Sequence, residues 1–339
     1  MIALSGCAHA STSLLSVSLN PHDWLEYKHR FIKQQGYVID TGQDDAVHSE
    51  GQSYGMLLAV FYNDKTVFDH LWQWTATHLQ VRKDSLFAWK WDQKTGRAAD
   101  TNNATDADLS IAWSLYLASE KWHEPEYKVS ADIILHDIKP LLHEQDGRLY
   151  LLPGSEGFKH KSGFEINPSY LILPAFKFFS THEPLLNWPK LYQNSIDLLH
   201  TSRYGKWQLT PDWLDVQKDG FKPSRQHKHQ FSYDAIRVPL FAAWSGQVQL
   251  LIPYLNFWKQ FDMQQHIPDR VDLDTNAIHF GKNFSAPSAI FALCRKLTGD
   301  KQALFPQMQW TPHTTYYDAS LTMFTQIAWI RNLSTDGAH

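Results

Sequence analysis

Cysteine is scarce. The 339 residues hold only Cys7 and Cys294, which leaves room for one disulfide and excludes a disulfide framework. Such low usage fits cytosol and periplasm equally. An excess of either charge is also missing: 31 Lys and Arg stand against 35 Asp and Glu, a net charge of −4. Nothing there points to nucleic acid or an anionic membrane as a partner. No stretch approaches the roughly 20 uninterrupted apolar residues of a transmembrane span. A Gly-rich phosphate loop and a nucleophile-elbow serine are absent, and nothing calls for a cofactor. His227 and His229 have a spacing that could hold a metal on a strand, but no nearby acid or cysteine completes a site. A solvated basic loop is the better reading there, and no metal is expected. No Ser/Gly-rich or Pro-rich linker divides the chain, so residues 20–335 are read as one domain.

The N-terminus reads MIALSGCAHA. Leu4-Ser5-Gly6-Cys7 looks like a lipoprotein cleavage site and Ala8-His9-Ala10 like a signal-peptidase site, without the usual basic region and with only a short apolar stretch. Residues 1–19 are therefore expected to be the remnant of an export signal or lipoprotein leader. That expectation places the protein in the periplasm or outside the cell, with Cys7 as the candidate anchor.

Aromatic residues are abundant instead: 14 Trp, 14 Tyr and 19 Phe. Sugar rings stack their apolar C–H faces on flat side chains and need polar partners around the rim, so a long polysaccharide cleft uses Trp and Tyr heavily. A large aromatic core is the competing explanation. The hydrophobic pattern is mainly helical, broken by Gly- and Pro-bearing loops. Asn20 as N-cap, Pro21 behind it and Gly36 as a stop signal the first helix. Further helices are expected near 50–62, 64–82, 105–122, 128–143, 168–180, 187–202, 232–246, 248–261, 285–297 and 315–331. The runs at 57–62 and 111–118 are apolar on more than one side. Strands are expected only at 36–40, 86–91 and 148–152. Helix pairs recurring about every 50 residues fit either a toroid of hairpins or a solenoid.

Four apolar helices begin with polar residues. Glu50 and Gln52 precede one, Asp106 and Asp108 open a second, Asn167, Ser169 and Tyr170 a third, and Tyr233, Asp234 and Arg237 a fourth. Taken singly, each acid is an ordinary helix cap or first-turn residue. If the helix starts converge, the acids gather in one cleft.

ATDADLSIAWSLYLASEKW at 104–122 resembles the signature of glycoside hydrolase family 8. HSEGQSYGM at 48–56, NPSYL at 167–171 and FSYDAIRVPLFAAW at 231–244 resemble further segments of that family in the same order. The likeness runs from about residue 20 to 330 and is greatest to the members associated with bacterial cellulose synthase. It implies an all-α (α/α)6 barrel with a few short strands in loops, and an endo-β-1,4-glucanase that inverts the anomeric centre. It also implies a β-1,4-glucan as substrate and the cellulose synthase complex as a partner.

Carried over by position, Glu50 is the general acid, Asp234 the general base, and Asp106 a third carboxylate that binds and distorts the sugar at the cleavage point. An acid useful near neutral pH must keep its proton, so Asp106 near Glu50 has to outweigh the helix dipole. Arg237, three residues after Asp234, is expected to keep the base ionised and oriented. Trp89, Trp91, Tyr170 and Trp213 are the candidate sugar-binding aromatics, with Tyr54 lining the cleft near Glu50. Mid-helix Trp113 and Trp244 read as core. The same chemistry on lichenan, xylan or chitosan is a sister reading. A non-catalytic glucan-binding or assembly subunit is the reading from another class, disfavoured by three intact carboxylates.

Overall fold

The computed structural model describes residues 17–218, 220–262, 267–281 and 284–336, with side chains described through Leu333. Cys7 and almost all of the expected leader lie outside the described residues. Eleven α-helices occur among the described residues: α1 (Pro21–Phe31), α2 (Ser49–Phe61), α3 (Lys65–His78), α4 (Thr105–Trp122), α5 (Pro125–Ile138), α6 (Leu173–His182), α7 (Trp188–Thr201), α8 (Arg237–Trp244), α9 (Val248–Trp258), α10 (Ala286–Leu297) and α11 (Tyr316–Asp336).

Local chemistry fixes many of their ends. Asn20 accepts the His22 N–H and Pro21 occupies the first turn of α1, as expected. That helix stops at Phe31, five residues before Gly36, which instead serves a turn at φ +93°. The expected helix over 168–180 is corrected: Pro168–Tyr170 forms a 3₁₀ turn, and α6 starts only at Leu173. Pro174 withholds an N–H that one continuous helix would need, whereas both Pro168 and Pro174 fit the first turn of the two separate elements. Pro125 and Pro140 likewise move the fifth helix to 125–138.

Helices α2, α4, α8 and α11 are buried around most of their circumference, so they form the inner wall. The outer layer packs α3 on α2, α5 on α4, α7 on α6, α9 on α8 and α1 on α11, and α10 lies against α8, α9 and α11. Contacts of α11 with α2 close the ring. This is the (α/α)6 barrel. Gly55 sets the α2–α3 distance, since a Cβ there would meet Val38 Cγ2 at 2.9 Å and Leu71 Cδ1 at 3.1 Å.

Short strands decorate the loops at one end. The expected strands at 86–91 and 148–152 appear as Ala88–Asp92 and Arg148–Leu151. The one at 36–40 does not; that segment makes only isolated bridges to Ile32 and Ala46. A four-stranded antiparallel sheet from Lys159–His160, Gly163–Ile166, Leu214–Gln217 and Gly220–Pro223 was not anticipated.

Candidate active site

The N-terminal ends of the inner helices converge. Glu50 lies in the first turn of α2, Asp106 in that of α4 and Arg237 in that of α8. Ser169 sits on the turn before α6. Arg237 is the hub, with its side chain only 3% exposed. Its Nη1 donates to Glu50 at 2.6 Å, Asp106 at 3.1 Å and the Tyr54 hydroxyl at 3.1 Å. Its Nη2 donates to Asp234 at 2.8 Å and to Ser169 Oγ at 2.7 Å. A surface ion pair is therefore excluded, and its service extends beyond Asp234 to all three carboxylates.

The carboxylates are not helix caps. Asp106 accepts only the adjacent Ala107 N–H of α4, and that helix has no side-chain cap. His48 caps α2 through Nδ1, which accepts the Gly51 N–H at 3.0 Å, leaving Nε2–H directed at Asp40 3.3 Å away. The turn before α8 is capped from a distance: Asp212 accepts the N–H groups of Ser232 and Ala235, both at 2.9 Å, and the Ser232 hydroxyl.

Three carboxylates share a single guanidinium, so complete ionisation leaves surplus negative charge in a buried place. Asp106 takes the strain: burial first, partly offset by Arg237 and reinforced by Glu50, pushes it up to about 7. Asp106, one of the two carboxyl groups on Nη1, thus holds a proton up to near-neutral pH. Asp108 is also pushed up to about 7, chiefly by burial, while bonded to the Phe87 N–H and Asn103. It supports the loop bearing Ala88–Asp92.

A cleft of about 530 Å³ opens over this hub, with Glu50 and Asp234 both on its wall. Asp106 is 4% exposed and lies behind that wall, against Arg237. Tyr233, Phe284 and Tyr317 form an aromatic group on the same wall, with centroids 5.3–6.3 Å apart. Tyr233 stands beside Asp234 in the fourth polar helix start, whereas the only signal for Phe284 and Tyr317 in sequence was aromatic excess.

The expected sugar-binding aromatics divide. Tyr170 lies beside the hub, with the Arg237 guanidinium 5.8 Å from its ring centre, and tilts against Trp213. Trp213 donates from Nε1 to Asp234 at 3.1 Å and is sandwiched between Phe158 and His227, nearly parallel to both. Trp89 is half-buried on the Ala88–Asp92 strand under Lys90. Trp91 packs edge-on against Trp74 and His78 of α3. Tyr54 is buried behind the hub and packs on Phe324. Trp113 and Trp244 pack into the core as expected. The 227–229 loop is more than solvated: His227 stacks on Trp213 and meets buried Glu165, and His229 pairs with Asp274.

A barrel whose inner helix starts carry carboxylates into an open, aromatic-walled cleft is the build of a glycoside hydrolase. Residues 3–330 match the model of glycosyl hydrolases family 8, and the chain belongs to that family. It is 35% identical over 258 residues to an endoglucanase of Cellulomonas uda, covering 75% of this chain and 72% of the relative. It is 34% identical over 319 residues to a probable endoglucanase of Novacetimonas hansenii, covering 90% and 89%. The solved endo-β-1,4-glucanase CMCax of Acetobacter xylinum superposes with a TM-score of 0.81 at 33% identity, covering 91% of this chain and 96% of that one.

Proposed function

We propose that the protein is an inverting endo-β-1,4-glucanase in which Glu50 protonates the departing glycosidic oxygen and Asp234 activates water from the opposite face. The observation that carries this reading is that Glu50 and Asp234 line the same cleft, each tied to a different terminal nitrogen of Arg237. Endo-action is supported by the named activity of the relatives and by the open cleft.

Inverting hydrolysis needs one carboxylic acid and one carboxylate with room for a water between. Glu50 and Asp234, which both line the cleft, are the two carboxyl groups that fill these roles. The Arg237 and Trp213 bonds hold the Asp234 carboxylate in place, one on each oxygen. Asp106 acts from behind, sharing Arg237 Nη1 with Glu50 and so fixing where the acid stands. Tyr233, Phe284 and Tyr317 offer flat faces to glucose units passing along the cleft.

The setting we propose is outside the cytoplasm, beside a cellulose-making apparatus and acting on its β-1,4-glucan. The leader-like residues 4–10 and the sequence resemblance support it. Fractionation of cells followed by release of the protein with osmotic shock tests it; retention in the cytosolic fraction contradicts it.

The enzymatic test is viscometry on carboxymethylcellulose, with lichenan, xylan and chitosan as alternatives. Viscosity falls quickly with the parent protein and hardly at all with Glu50→Gln or Asp234→Asn. A normal fall with both variants refutes the assignment. Binding of glucan without cleavage by the parent favours an assembly subunit.

A further inference from the structure

Asp234 must present one carboxylate lone pair to a water in a fixed direction, yet it precedes α8 and has no helical backbone of its own to hold it. The turn Ser232–Ile236 that carries it is short and leaves N–H groups without helical partners. Two consecutive residues from another part of the chain meet this need. Asp212 is 4% exposed and bonds the N–H groups on both sides of the turn, those of Ser232 and Ala235, and the Ser232 hydroxyl besides. Trp213, the next residue, bonds Asp234 Oδ2, while Arg237 takes Oδ1. One residue fixes the backbone and the other the side chain.

The segment that delivers them is itself anchored. The Asp212 N–H donates to the Gln230 carbonyl at 2.8 Å, and the Trp213 carbonyl accepts the Ser224 N–H at 3.0 Å. Trp213 is further held flat between Phe158 and His227. A buried carboxylate there is costly unless its bonds are needed. Burial, then Asp234, pushes Asp212 up to about 6.

We propose that Asp212 and Trp213 together form the positioning element of the base, Asp212 setting the turn that bears Asp234 and Trp213 orienting its carboxylate. This rests on the reading of Asp234 as base. Neither residue needs to touch the water that is attacked. An Asn at 212 keeps an acceptor for both N–H groups, and the Ser232 hydroxyl can reverse and accept from its amide. An Ala keeps nothing.

The experiment compares Asp212→Asn, Asp212→Ala and Ser232→Ala on carboxymethylcellulose, measuring kcat, KM and Tm together. Asp212→Ala should lower kcat by about 10- to 100-fold with KM nearly unchanged, a part of the about 10²–10⁴ that a positioned base supplies. Asp212→Asn should restore most of that loss. Ser232→Ala, which removes one of three contacts, should lower kcat a few-fold without lowering Tm appreciably, and it stands as the test if Asp212→Ala fails to fold. Parent-like kcat in Ser232→Ala together with equal losses in Asp212→Asn and Asp212→Ala overturns the proposal, as does a loss that appears in KM. A parent protein that cuts no glucan defeats the functional reading itself, whereas an active parent with an indifferent position 212 defeats only this inference.

Discussion

Arg237 offers two nitrogens to three carboxylates, a tyrosine and a serine, and the planar fork is what lets one side chain do so. Lysine carries the charge but has one nitrogen, so Arg237→Lys satisfies at most part of this set. We expect kcat on carboxymethylcellulose to fall by about 100-fold or more, because Glu50 and Asp234 lose their common anchor; near-parent turnover contradicts the hub. A pH effect follows from Asp106. Its folded pKa of about 7 exceeds the ordinary carboxylate value, so the native state holds a proton that the unfolded chain has already released. Stability from this group is present at acidic pH and lost as pH rises from about 4 through about 7. Asp106→Asn has no such proton to lose. Its Tm relative to the parent should therefore climb by a few degrees between pH 5 and pH 8, read by calorimetry. A constant difference contradicts the assignment.

At the level of elements, packing decides what a substitution costs. Gly55 lies where α2 crosses α3, and any Cβ meets Val38 and Leu71 inside normal contact. Gly55→Val should destabilise the protein by about 1–3 kcal/mol through overpacking, visible as a lower urea midpoint; an unchanged midpoint rules the close approach unimportant. The sequence made the long helices readable because their ends carry local signals, such as Asn20 with Pro21, and their inner faces are apolar all round, as in 57–62 and 111–118. It misled at 168–180, where the period continues across Pro174, which breaks the backbone pattern of a single helix. The four-stranded sheet was opaque for a different reason. Its strands are two to four residues long, and the 163–166 strand pairs with 214–217, a partnership no local window contains. Asp212 was missed for the same cause, since a cap supplied from twenty residues away has no signature beside the helix it caps; His48 stands directly before α2 but is not one of the usual capping residue types.

For the whole molecule, the decisive feature is convergence of helix N-termini at one end of the barrel. Single segments allowed each acid to be an ordinary cap; only ring closure by α11 against α2 brings Glu50, Asp106 and Asp234 onto one arginine. The residue types were therefore legible, and through resemblance so were their roles, but not the shared guanidinium. Nor was the conversion of Trp213 from expected sugar platform to partner of Asp234, or the seating of Trp91 on α3. Those facts depend on which surfaces the barrel turns inward. The measurement that bears most directly on Glu50 and Asp234 as acid and base is proton NMR of the product in its first minutes, before the anomers equilibrate. Attack by water on the face opposite the departing oxygen yields the α-anomer first. Initial appearance of the β-anomer would mean a covalent intermediate and would remove Asp234 from the role of base.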